Sequence, residues 1–242
     1  MENRNAYIGQ NVEILFRNTI CDNPSVIRKI QEKFGIDGRF VTAINNGIQC
    51  EKADVKINFA CGRNVDVNVK AYRGSGFNQL TRTSVHKFCT IFNINPEMER
   101  DLVTVIVNKA KNPDANLFSE NDILRWHGTF VSLAKDLLHW GFSHKMSREL
   151  LVLYNRDTSK MSIYPMKNVL DLLCSRVEIV YTKGGFNICE CVSFQRKGGN
   201  GSLSRTIAKT DIKHPGNDIQ LKLKVDKFTE MAKLILLAEY VI

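Results

Sequence analysis

An α/β fold, with a central sheet flanked by helices, is the class this sequence predicts, and three observations carry it. The segment YIGQNVEILFRNTIC near the start repeats apolar positions at helical spacing. RFVTAIN, ADVKINF and VDVNVKA then alternate apolar with polar residues, the period of a half-buried strand. Helical and strand periods go on trading places to the end of the chain, as they do when helices cover a sheet.

The first helix carries Glu13. Asn23 followed by Pro24 marks the cap and first turn of a second helix ending near Gly35, since proline lacks only an N–H that the first turn leaves unused. The three alternating segments follow as strands, with Gly62 and Arg63 turning the last two into a hairpin. From Gln79 to about His144 the spacing is helical, broken at Pro96 and near Pro113, and a Ser119–Asp122 capping box opens ILRWHGTFVSLAKDLLHW. ELLVLYN and MSIYP return to strand period, a short helix is expected over 166–174, and VEIVYT and ICECVSF are strands again. DKFTEMAKLILLAEYVI reads as a closing amphipathic helix.

A chain of 242 residues with 43% hydrophobic content supports one large core, or a core with a smaller subdomain. The net charge of +9 favours a polyanionic partner, nucleic acid or an acidic membrane surface. Eight Lys or Arg against three acids fall between Lys183 and Lys224. No apolar run approaches the roughly 20 residues of a bilayer span, and MENRNAYIGQ has neither a basic start nor an apolar signal core, so a cytoplasmic protein without a membrane role is expected. Seven cysteines without CxxC spacing read as reduced, mostly buried thiols. Cys189 and Cys191 would share a strand face, but no second pair or nearby histidine completes a metal site. No GxxxxGK[ST] is present, which argues against ATP.

Strand parity groups the polar residues. Asp54, Lys56 and Asn58 share one face while Val55, Ile57 and Phe59 pack inward, and Asp66, Asn68 and Lys70 lie opposite Val65, Val67 and Val69. A turn at 61–63 places Asp54 roughly opposite Lys70, with Asn68 beside them. A carboxylate, an amide oxygen and an ammonium suit phosphodiester hydrolysis, as metal ligands and as a group that orients water or offsets phosphate charge. The same residues also suit a solvated strand face with an ordinary surface ion pair.

Asp54 followed by Asn68-Val69-Lys70 resembles the active-site signature of the PD-(D/E)xK nuclease superfamily, with Asn68 standing where a second acid is usual. The small type II restriction endonucleases of the MspI and HinP type carry an amide there. GFNQ at 76–79, and QRKGG at 195–199 followed by a basic stretch ending in QLKLK, are similar in order and spacing to segments of the HinP-type, GCGC-cutting enzymes. The resemblance implies a restriction-endonuclease-like core with a mixed central sheet flanked by helices, a helical layer, and a C-terminal basic β-rich recognition region. It implies one domain over 1–242, divided into a catalytic core at 1–94, a helical region at 95–146, and the remaining sheet and recognition region at 147–242. Asp54, Asn68, Lys70 and Glu13 would be catalytic. Mg2+ would be held by Asp54, Asn68, the Val69 carbonyl and Glu13, with Lys70 orienting the attacking water. Glu2 and Glu51 compete with Glu13 for the part of helix carboxylate.

The expected DNA-facing residues are Phe77, Asn78, Gln79, Arg82, Lys87, Gln195, Arg196, Lys197, Arg205 and Lys222. Phe77 would wedge between base pairs and Gln79 reach a base edge, where a plain glycine turn with a core Phe77 is the alternative. Arg82 and Lys87 suit phosphates. Gln195, Arg196, Lys197 and Arg205 carry donors for base edges, with Ser202, Ser204 and Thr206 as phosphate contacts; a flexible basic hairpin is the alternative. The expected function is Mg2+-dependent double-strand cleavage at a short palindromic, four-base G/C-rich site. The setting is a bacterial or archaeal restriction-modification system with a cognate DNA methyltransferase. A repair or junction nuclease, or a noncatalytic DNA-binding regulator, are the alternatives, and the chain would act on double-stranded DNA as a monomer or a homodimer.

Overall fold

Helix α1 (Arg4–Cys21) and helix α2 (Pro24–Phe34) open the computed structural model, which describes residues 4–46, 53–74, 77–143, 147–199 and 206–242. Asn23 stands at the N-cap position of α2, but its amide turns back and donates to the Thr19 carbonyl at 2.7 Å, making no cap bond. With two residues between the helices, the open carbonyls ending α1 compete for that side chain. Pro24 takes the first turn, and Gly35 closes α2 at φ +59°, where its backbone N–H meets the carbonyls of Gln31 and Glu32.

The alternating segments form β1 (Phe40–Asn45), β2 (Val55–Phe59) and β3 (Asn64–Tyr72). β1 and β2 pair antiparallel, as do β2 and β3. Strand β5 (Glu149–Asn155) runs parallel beside β3, and β6 (Lys160–Pro165) antiparallel beside β5. This mixed sheet buries Val55, Ile57, Val65, Val67 and Val69 under α1 and α2, against Phe16, Ile20, Ile27 and Ile30. Between β3 and β5 the chain lays down the first strand of a second sheet and three helices before returning.

That excursion starts with β4 (Phe77–Thr83), in place of the helix expected from Gln79. FNQLTRT holds strand-forming Phe, Leu and Thr, and no helix cap occurs until Ser84, whose hydroxyl accepts the Lys87 N–H and starts α3 (Val85–Ile91). Helix α4 (Pro96–Lys111) is capped by Asn95 at 2.9 Å from the Met98 N–H. Before α5 (Glu120–Phe142), Ser119 and Asp122 exchange backbone N–H bonds at 2.8 and 3.2 Å, the reciprocal cap that the sequence predicts.

After helix α6 (Met166–Cys174) come β7 (Ile179–Thr182), β8 (Gly185–Ile188), β9 (Val192–Arg196) and β10 (Ile219–Lys224). With β4 they form a second sheet in the order β4-β10-β9-β8-β7. ICECVSF is therefore two strands, because Cys189 and Glu190 turn the chain at φ +51° and +59°. Cys189 lies in that turn and Cys191 just after it, so the two do not share a strand face. On one side of this sheet Phe186 stacks on Phe194 at 4.6 Å, and Phe118 and Phe130 pack around them. Gly141 lets α5 close on the same side, since a Cβ there would stand 3.2 Å from Leu221.

The C-terminal segment is also not one helix. Helix α7 (Val225–Met231) gives way to a 3₁₀ turn at Lys233–Ile235 and then to β11 (Ala238–Val241), which pairs antiparallel with β6. Edge hydrogen-bonding groups of β6 are satisfied this way, and Glu239 reaches Lys160 at 2.7 Å and Ser162 at 2.8 Å. The first sheet thus has the order β1-β2-β3-β5-β6-β11.

Two compact units result, one of residues 1–78, 143–172 and 228–242, the other of 79–142 and 173–227. Each is assembled from separated segments, so they cut across the contiguous division at 94 and 146. Among the described residues no helix is long and apolar enough to cross a membrane.

Phe16 is fully buried and Leu124 is 82% exposed. Phe16→Ala is expected to cost about 3–5 kcal/mol in urea denaturation, and Leu124→Ala to stay within about 0.5 kcal/mol.

Candidate active site and nucleic-acid interface

The hairpin register decides which polar groups meet. Val55 pairs with Val67 and Lys56 with Asp66, which brings Asp54 opposite Asn68, two residues from the expected partner Lys70. Parity is unchanged by a two-residue shift, so the shared face survives. The Asp54 N–H donates to the Val67 carbonyl at 2.8 Å, and the Asp66 N–H to the Arg148 carbonyl at 2.9 Å. Odd residues of β3 therefore turn their backbone groups toward β2, and even ones toward β5.

Strand β2 begins at Val55, so the Val69 amide lies beyond its last rung. Asp54 fills that place: its Oδ2 accepts the Val69 N–H at 2.7 Å. Lys70 Nζ lies 3.4 Å from the same oxygen and donates to the Val69 carbonyl at 3.2 Å. Carboxylate, ammonium and the open peptide edge of β3 thus form one cluster in the first unit.

Asn68 stands at its centre, 9% exposed, with Oδ1 buried and without a hydrogen-bond partner among the described residues. An unmet buried acceptor costs about 1–3 kcal/mol, which a ligand with a positive or donor atom would recover. Glu13 joins the cluster electrostatically. Burial first, and then the charge of Asp54, raise its carboxyl above the ordinary carboxylate range, and Lys70 partly offsets them. Glu2 and Glu51 lie outside the described residues.

One pair beside the cluster escaped functional assignment from the sequence. Lys56 and Asp66 face each other across β2 and β3 at 3.9 Å, so two opposite Asp–Lys pairs straddle Asn68. Parity alone groups these residues, and only the register makes partners of them.

The donor set for a metal consists of hard oxygens: the Asp54 and Glu13 carboxylates, Asn68 Oδ1 and the Val69 carbonyl. Oxygen donors of this type suit Mg2+ better than a thiol-seeking ion, and the orphaned Asn68 oxygen, across the hairpin from Asp54, fits a small divalent cation. Among the described residues, no three His, Cys, Asp or Glu side chains form a metal-binding group. Such a cation would need the amide and the peptide oxygen.

The first of the remaining DNA-facing candidates is Phe77, which starts β4, with its side chain outside the described residues. Asn78 spends its amide on the Ala71 carbonyl at 2.6 Å, bracing the loop after β3. Gln79, Arg82 and Lys87 are exposed. Gln195 and Arg196 end β9, with Gln195 opposite Gln220 and Arg196 opposite Ile219. Alternation therefore sends Arg196 to the aromatic side of the second sheet and Gln195 to the polar side, with Lys222. Burial is the first cause lowering the pKa of Lys197 and of Lys222. Neighbouring cations add to it, Arg82 and Arg196 for Lys197, and Lys197 for Lys222. Like charges are gathered in the second unit, and Asp218 partly offsets them at Lys197. Thr206 begins the last described stretch, and Ser202, Ser204 and Arg205 lie outside the described residues.

No family model and no curated protein matches the chain. The crystal structure of the restriction endonuclease MspI in complex with its cognate DNA is similar in fold, with a TM-score of 0.51 and 14% sequence identity over 82% of this chain and 77% of that one. The mixed sheet flanked by helices is a restriction-endonuclease-like fold.

Glu13 titration gives a test of the cluster. A raised pKa in the folded chain favours folding most below the ordinary value of 4.5, and that advantage is lost as pH rises through the folded value. In EDTA, Glu13→Gln is expected to raise the urea midpoint at about pH 8 and leave it nearly unchanged at about pH 4. Equal shifts at both pH values would take Glu13 out of the field of Asp54.

Proposed function

We propose that this chain is a Mg2+-dependent type II restriction endonuclease that cuts both strands of double-stranded DNA at a short palindromic, four-base G/C-rich site. The observation that carries the reading is the cluster of Asp54, Lys70 and the Val69 peptide around the unpartnered Asn68 oxygen. Its chain order, Asp then Asn-Val-Lys, is that of a PD-(D/E)xK site with an amide in place of the second acid. The restriction-endonuclease-like fold and the DNA in the MspI complex support the choice of substrate.

Hydrolysis forms a bond from water oxygen to phosphorus and breaks one ester P–O bond, and negative charge grows on the phosphoryl oxygens. Lys70 is placed to orient that water and offset the charge, because Asp54 and the Val69 carbonyl hold its ammonium at 3.4 and 3.2 Å. Asp54, Asn68, the Val69 carbonyl and Glu13 would hold the Mg2+, which supplies charge neutralisation and a more acidic bound water. The basic cluster of the second unit binds the duplex. The Lys56–Asp66 pair keeps the neighbouring strand face neutral. The host would carry a cognate DNA methyltransferase protecting the same site.

Incubation of the purified protein with a plasmid of known sequence and Mg2+, followed by sequencing of the ends, tests the reading. Discrete fragments sharing one four-base palindrome are expected. Ends at branched or mismatched positions would indicate a repair or junction nuclease, and intact plasmid with tight binding a regulator.

Asp54→Ala and Lys70→Ala are each expected to lower cleavage by at least about 100-fold while keeping the fold by circular dichroism and most of the DNA affinity. Near-normal turnover in either folded variant would remove the cluster from catalysis.

Asn68 separates a ligand from a spacer. Asn68→Asp is expected to keep part of the activity and to lower the Mg2+ concentration needed for half-maximal rate, and Asn68→Leu to be nearly inactive. A fully active leucine variant would exclude the amide oxygen from the site.

A further inference from the structure

Asn217 is 1% exposed, and its amide makes three described hydrogen bonds. Its Nδ2 donates to the carbonyls of Lys209 and Asp211 at 3.0 and 2.6 Å, tying down the loop that precedes β10. Its Oδ1 accepts from Arg196 Nε at 2.7 Å. The 3₁₀ turn at Pro215–Asn217 sets the angle of that amide, with the Gly216 N–H on His214 Nδ1 at 2.9 Å. A Cβ on Gly216 would come within 2.9 Å of the His214 ring, so the turn leaves little latitude.

Among the described residues, Arg196 is held by a neutral acceptor through its inner nitrogen alone. Among the described residues it has no carboxylate partner, and the undescribed stretch 200–205 contains no acid. Burial lowers its pKa. A guanidinium kept half-buried and uncompensated loses stability for the fold. Fixing it through Nε leaves the two terminal NH2 groups as an oriented fork, with Nη1 beside Gly198.

We infer that Asn217 is a positioning residue that presents the Arg196 fork to the paired acceptors O6 and N7 of a guanine edge in duplex DNA. This rests on the proposed reading of the chain as a DNA endonuclease and adds the residue that orients its base-reading arginine. Bidentate recognition depends on the plane of the guanidinium as much as on its charge, so a rigid amide behind Nε contributes specificity without touching DNA.

The test uses the full chain carrying Lys70→Ala, so that bound duplex stays intact, with Mg2+ and a duplex selected from a randomised library. Arg196→Ala and Asn217→Ala are each expected to narrow the cognate-to-noncognate affinity ratio by roughly 5- to 150-fold. The double variant should lose no more than Arg196→Ala alone, because Asn217 acts through Arg196. Arg196→Lys, which leaves Asn217 on its two loop carbonyls, should lose discrimination while keeping noncognate affinity, and it decides the matter if Asn217→Ala does not fold. Additive losses in the double variant, or full discrimination in Arg196→Lys, would overturn the inference. So would a uniform loss of affinity with a salt slope smaller by about one, the mark of a phosphate contact. Failure to select any duplex sequence would instead strike the endonuclease reading itself.

Discussion

The two-residue period of β3 is the constraint on which the rest depends. Val65, Val67 and Val69 are driven to one face by burial against α1 and α2, and that leaves Asp66, Asn68 and Lys70 no choice of side. A one-residue slip would put valines in the polar cluster and charges in the core, so the energy that holds the core also holds the site. The same pleat turns the Val69 peptide groups toward β2. Because β2 stops at Val55, Asp54 can occupy the missing rung and carry Lys70 with it.

Each unit carries an electrostatic arrangement that is incomplete by itself. In the first, burial and the nearness of Asp54 make ionised Glu13 costly, and the Asn68 oxygen is buried without a donor among the described residues. Both are relieved by a cation. In the second, burial opposes the charges of Arg196 and Lys197, Arg82 adds like charge at Lys197 and Asp218 partly offsets it, an arrangement that a polyanion would relieve. A chain that needed only to fold would gain by replacing these groups with apolar or oppositely charged ones.

Legibility followed the range of the interactions. The Ser119–Asp122 cap and the left-handed Gly35 depend on neighbours within four residues, and both were readable. Asp54, Asn68 and Lys70 were readable because parity is a local property and a superfamily signature fell on the same residues. The residue opposite Asp54 is Asn68 and not the expected Lys70, since hairpin register depends on how many residues the turn spends. QLTRT and AEYV carry a helical period in the sequence yet form strands, because their strand state is set by sheet edges remote in sequence. Asn217 carried no signal in sequence beyond a turn.

By itself the sequence determined the periods, the caps, the charge balance and the face to which each β3 side chain belongs, because these follow from residue type and the geometry of one strand or one helical turn. The tertiary structure alone decided that β3 pairs with β5 in parallel, that Lys56 meets Asp66, and that Arg196 leans on Asn217 twenty-one residues away. Such pairings are choices among many compatible partners. Their energies come from closing loops and satisfying edges that no short stretch of chain contains.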